Sequence, residues 1–180
     1  CQQETHEMTT TEVELVIQKF IQAAVRAQKA GCDGIELHGA HGYLISQFLS
    51  PYTNQRTDRF GGSFENRLQF VKEIILGIQE ACGKEYPIGI RLTVDELLAP
   101  NGVKEYLHLA DGVKVCQELE KLGLVYINVS NGIYESFNSL SEPTTYPQGC
   151  RTELIRAVKD AVHIPVIAVN MVKEPWFAEK

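Results

Sequence analysis

The sequence predicts an α/β fold, part of a (β/α)8 barrel, and three observations lead there. Helical and strand-like patterns alternate along the chain, with strand-like runs beginning near 34, 87, 124 and 164, intervals of 53, 37 and 40 residues that suit single βα units. Splitting each run by its period of two leaves one apolar face: Ile35 and Leu37; Ile88, Ile90 and Leu92; Val125, Ile127 and Val129; Ile167 and Val169. The other face carries Glu36 and His38, Arg91 and Thr93, Asn128 and Ser130, and Asn170 to the strand ends. In a barrel that second face points inward, and its upper layer is where active sites are built. An open doubly wound sheet is the competing architecture, but no run is followed by a GxGxxG turn.

Each element has a local cause. Thr9 with Glu12 three residues later is a capping-box signal, and Val13, Ile17, Phe20, Ile21 and Ala24 follow at helical spacing until Gly31 stops the helix. A strand over 34–38 leads to a short helix over 42–49, which Ser50-Pro51 ends. Ser63 is placed to cap a long helix carrying Leu68, Val71, Ile74, Ile75 and Ile78, and Ile88 to Thr93 form the next strand. A helix over 109–122 precedes a strand over 124–130, and a helix over 152–162 precedes a strand over 164–169. In the loop from 54 to 67, Arg56, Asp58, Arg59, Glu65 and Arg67 are expected to pair among themselves, with Gly61-Gly62 making the turn.

With 17 Lys+Arg against 23 Asp+Glu, the 180 residues carry a formal net charge of −6. An acidic balance without a basic run argues against nucleic acid or anionic lipid as partner and leaves small molecules. No apolar stretch reaches the length of a membrane span, and the start lacks a signal-peptide profile, so a cytoplasmic setting is expected. The five cysteines are scattered and spell no CxxC; they are expected to be reduced and mostly buried. The chain opens on Cys1 and closes in a helix just begun after Pro175, which predicts a segment of something longer.

The sharpest chemical cluster is His38, His41 and Tyr43, at the end of the first strand. Two imidazoles can grip one substrate oxygen while a phenol delivers a proton; a structural pair of histidines is the plain alternative, and no third ligand of suitable spacing supports a metal. Arg91, on the inward face, needs an anionic neighbour: either Glu36 one strand away, or negative charge on a bound cofactor or intermediate. The runs contain no lysine for a Schiff base, and GxSxG and phosphate-loop motifs are missing from the sequence.

The stretch GIELHGAHGYL at 34–44, continued by QFLSP at 47–51 and NQRTDRFGGSFENR at 54–67, resembles the signature of the Old Yellow Enzyme family, FMN-dependent NADH:flavin oxidoreductases and ene-reductases on a (β/α)8 barrel. The resemblance implies that His38 and His41 bind the carbonyl oxygen of an α,β-unsaturated substrate or a phenol. It implies Tyr43 as proton donor, Arg91 as the cation beside the flavin N1 and C2 carbonyl, and NADH or NADPH as reductant. Asn170 stands where many members have a glycine beside the flavin phosphate, which makes it a cofactor-binding candidate. The YPQG run at 146–149 and Val94-Asp95 look like the larger 2,4-dienoyl-CoA reductase and enoate reductase branch, whose iron–sulfur cluster would belong to a longer parent chain.

On this resemblance, residues 1–180 form one partial FMN-binding barrel domain covering strands 4 to 7, for which a homo-oligomer is an open reading. Two other readings stand beside it: a half-barrel that is inert as given, and a flavin-free barrel lyase using Glu36 and the histidines.

Overall fold

The computed structural model describes residues 6–169 and 171–179. Helix α1 (Thr10–Lys29) starts on the expected capping box: the Thr9 hydroxyl accepts from the Glu12 amide, and the Glu12 carboxylate accepts from the Thr9 amide. Its buried stripe is Val13, Ile17 and Ala24, and it packs on α3 (Phe64–Cys82), which Ser63 caps through the Asn66 amide. Between them lie β1 (Ile35–Gly39) and the short α2 (Leu44–Leu49). After α3 come β2 (Ile88–Thr93), α4 (Leu109–Glu120), β3 (Tyr126–Ser130), the single turn α5 (Phe137–Leu140), α6 (Thr152–Ala161), β4 (Val166–Ile167) and α7 (Pro175–Ala178).

The four strands form one parallel sheet in the order β1-β2-β3-β4. Each strand lies beside its predecessor and the order never reverses, so the sheet is a sector of a (β/α)8 barrel, whereas a doubly wound sheet would reverse at a switch point. The helix-facing side is the core. Leu37, Ile88, Ile90, Leu92, Ile127 and Val129 meet Ile74, Ile75 and Ile78 of α3 and Val115 and Leu119 of α4, all buried. At the start of α4 the buried Gly112 presses against the backbone of Val94, leaving no room for a side chain.

Register then stacks the inner face in rows. Glu36, Gly89 and Tyr126 share the lowest row; His38, Arg91, Asn128 and Ile167 share the next; Thr93 and Ser130 share the row above. Gly89 is a glycine because a Cβ there would run into the Tyr126 ring lying over it.

Several expectations need correction. The last strand is out of phase with the expectation: Ile127 pairs with Val166 and Asn128 with Ile167, so Ile167 lies on the inner face, 43% exposed, and Val166 faces the helices. Residues 164–169 are apolar at both parities, so period-two alternation could not set the phase. The strands expected over 124–130 and 164–169 are shorter, and Val125 is exposed ahead of β3. The 54–67 loop is tied mainly to its surroundings. Arg56 does pair with Asp58 at 2.5 Å, but Arg59 reaches Glu14 of α1 and Glu73 of α3, and Arg67 donates to the carbonyls of Leu49 and Gly62. Among the described cysteines only Cys116 is buried, its thiol pushed up to about 12 by that burial. No described helix is long and apolar enough to cross a membrane.

Candidate active site

The strand ends bring the predicted cluster together. His38 is the inward residue near the end of β1, and the chain then turns sharply through His41 and Gly42, with φ of 63° and 75°, before Tyr43 caps α2. A left-handed histidine costs roughly 1 kcal/mol or more, so the turn needs fastening. Two bonds supply it: the His41 amide donates to Thr93 Oγ1 at 2.9 Å, and His41 Nε2 lies 2.7 Å from Ser130 Oγ. The buried Thr93 hydroxyl in turn donates to the Gly132 carbonyl at 3.2 Å, so the turns after β1 and β3 meet at one side chain of β2.

The rings form a continuous lip. His38 and His41 meet edge to face with centroids 5.2 Å apart, and the Tyr43 ring also lies 5.2 Å from that of His38. The His38 ring makes no hydrogen bond among the described residues, which leaves both of its nitrogens available. Burial, reinforced by the Arg91 charge and partly offset by Glu36, lowers the His38 pKa. Burial, then Arg91 and His38, holds His41 down to about 4. Both imidazoles are therefore neutral at pH 7 and each carries one ring N–H.

Arg91 sits beside His38 and Asn128 in register. The alternative ion pair with Glu36 does not form: the Glu36 carboxylate instead accepts from the Asn128 amide at 3.2 Å and stands beside the Tyr126 phenol, whose pKa is raised by burial and by that carboxylate. Two atoms in this row are buried without a partner, Arg91 Nε and Asn128 Oδ1. An orphaned donor next to an orphaned acceptor, in the same row as the neutral His38, is what the edge of a ring system with alternating carbonyl and N–H groups would satisfy. The donor set thus fits a flavin pyrimidine edge. Asn170, the remaining cofactor candidate, lies outside the described residues.

Sequence reasoning missed Tyr134. It belongs to the loop after β3, where Ile133 is buried and the Ser136 hydroxyl donates to the Glu96 carbonyl at 2.6 Å, and its hydroxyl lies 2.9 Å from that of Tyr43. Nothing in strand or helix periodicity marks a loop aromatic; the only available signal was its position just beyond an inward-facing strand end.

Residues 1–180 match the family described as NADH:flavin oxidoreductase / NADH oxidase. The chain is 50% identical over 174 residues to an NADH oxidase of Thermoanaerobacter brockii, covering 97% of this chain and 26% of that protein. It is 30% identical over 179 residues to a cinnamate reductase of Clostridium sporogenes, covering 94% of this chain and 27% of that protein. A solved complex of 2-naphthoyl-CoA reductase with 2-naphthoyl-CoA superposes with a TM-score of 0.89 at 31% identity, over 97% of this chain and 26% of the other. The chain therefore spans about a quarter of the length of these relatives.

Proposed function

This chain belongs to the NADH:flavin oxidoreductase / NADH oxidase family, and on that premise we propose that it is the substrate-activating sector of an FMN-dependent NAD(P)H oxidoreductase that reduces the activated C=C bond of an α,β-unsaturated carbonyl compound. The observation that carries the reading is the neutral His38–His41 pair, set between the Tyr43 phenol and the Arg91 side chain with its orphaned Nε. The relatives named for reduction of cinnamate and of 2-naphthoyl-CoA act on conjugated acyl compounds, which supports the same substrate class.

Arg91 and Asn128 would hold the pyrimidine edge of FMN, Arg91 by donating and Asn128 by accepting. When bound, FMN would supply the hydride, drawn from NAD(P)H, for the β-carbon of the substrate. The remaining work falls to this chain. His38 donates a ring N–H to the carbonyl oxygen, and His41 adds a second from the nitrogen that Ser130 leaves open. These donors are placed before charge develops, and their strength rises as the oxygen becomes an enolate. Arg91 holds a positive charge beside His38 in the same row, which stabilises the same negative charge at longer range. Tyr43 O–H then protonates the α-carbon.

The test is a pair of half-reactions in the full-length holoenzyme. Tyr43→Phe is expected to slow flavin reoxidation by 2-cyclohexen-1-one by about 100-fold or more while flavin reduction by NAD(P)H is nearly preserved. Equal loss in both half-reactions removes Tyr43 as proton donor.

A further inference from the structure

Glu36 is the one acid on the inner face of the four strands, and the chemistry described so far leaves it without a task. It shares the lowest row with Gly89 and Tyr126, while His38, Arg91 and Asn128 share the next. Its carboxylate accepts from Asn128 Nδ2 at 3.2 Å. The Tyr126 phenol stands beside the same carboxylate, and burial together with that charge raises the phenol's pKa, so the phenol keeps its proton. Gly89 makes room for the arrangement, since a Cβ there would strike the Tyr126 ring. A carboxylate only accepts, so both neighbours must turn a donor towards Glu36.

That constraint decides which way round the Asn128 amide stands. Its nitrogen must face Glu36, so its oxygen is turned away, and Oδ1 is the atom buried without a partner next to the orphaned Arg91 Nε. An amide freed from Glu36 could rotate by half a turn and offer N–H groups where it now offers an acceptor.

We infer that Glu36 is a positioning residue that, through Asn128, fixes an acceptor where the pyrimidine edge of FMN binds and so selects a ring bringing an N–H to that place. The inference rests on the flavin reading above. Oxidised isoalloxazine has a single N–H, at N3 between two carbonyls, so N3–H is the group that a fixed acceptor recognises. An amide turned the other way would set N–H against N–H and leave the ring's donor unsatisfied. Glu36 acts at one remove, by holding the amide that meets the ring.

The experiment measures binding of FMN and of 3-methyl-FMN, which lacks the N3 proton, to apoprotein of the full-length chain by equilibrium dialysis. Glu36→Gln keeps the shape of an exposed side chain and gives it a donor, so the Asn128 amide loses its constraint. FMN binding is expected to weaken roughly fivefold, as for the loss of one hydrogen bond, while 3-methyl-FMN, with no proton for Asn128, binds as it does to the wild type. Loss of the Glu36 charge as such, or a loosening of the fold, acts on both flavins alike. Equal weakening of both by Glu36→Gln therefore overturns the inference, as does wild-type affinity for both. Adding Glu36→Gln to Asn128→Leu is expected to change FMN affinity no further, because the amide through which Glu36 acts is gone; a second loss as large as that of Glu36→Gln alone overturns the inference too. Wild-type FMN affinity in both Asn128→Leu and Arg91→Met overturns the flavin placement itself, an outcome separate from loss of the Glu36 role.

Discussion

His41 Nε2 lies 2.7 Å from Ser130 Oγ, so a histidine from the turn after β1 is steadied by a strand two places away in the sheet. Ser130→Ala removes that partner without removing the ring. The loss of one hydrogen bond corresponds to about 1 kcal/mol, so affinity for a phenol occupying the carbonyl position is expected to fall roughly fivefold. Titrating the full-length holoenzyme with a phenol and following the flavin absorbance measures it; unchanged affinity would remove His41 from the substrate-binding pair.

Stability should respond to acid through the same histidine. Burial, then Arg91 and His38, holds His41 down to about 4, against 6.5 for the free imidazole. As pH falls from 6.5 the unfolded chain takes up a proton there and the folded chain does not. The stability contributed by the neutral ring is therefore complete above pH 6.5 and is lost progressively down to about pH 4. His38 shifts in the same direction and adds to the effect. Urea midpoints at pH 7.5 and pH 5 are expected to differ more for the wild type than for His41→Asn, which has nothing to titrate. Equal differences would contradict the assignment.

Arg91→Met keeps the length of the side chain and deletes its charge and donors. If Arg91 Nε and Asn128 Oδ1 hold the flavin edge, Arg91→Met is expected to weaken FMN binding by at least tenfold, since a charge-assisted hydrogen bond contributes roughly 1.5–3 kcal/mol. Asn128→Leu should weaken binding less, because it removes a neutral acceptor. Equilibrium dialysis of apoprotein against FMN gives both values, and retention of wild-type affinity by Arg91→Met would place the flavin elsewhere.

Gly112→Ala probes the packing of α4. The added methyl group would meet the Val94 backbone, which cannot yield without shifting the end of β2. Destabilisation of about 1–3 kcal/mol is expected, measured by denaturant unfolding. A stability change near zero would mean that α4 slides freely over the strand.

The helix starts were legible because their causes are local: Thr9 with Glu12, and Ser63, each name their own boundary. The inward row of His38, Arg91 and Asn128 was legible because polar residues interrupt apolar alternation at one parity. β4 was not legible in its phase, since Val166 and Ile167 satisfy either side equally well. The fate of Arg91 could not be read either. Glu36 was a plausible partner by spacing, but its bond with the Asn128 amide and the Tyr126 phenol beside it depend on three strands lying in register. Tyr134 was hidden for a similar reason: its meeting with Tyr43 spans 91 positions and is created by loop anchoring, which leaves no periodic trace.

The Thr93 hydroxyl has a consequence for how such an enzyme diversifies. By accepting from the His41 amide and donating to the Gly132 carbonyl, it makes the two turns move as one body. A substitution that tilts the His41 turn also carries the Ile133–Tyr134 segment with it. The placement of the histidines and that of the loop after β3 are therefore inherited together, and a lineage that changes one must retune the other.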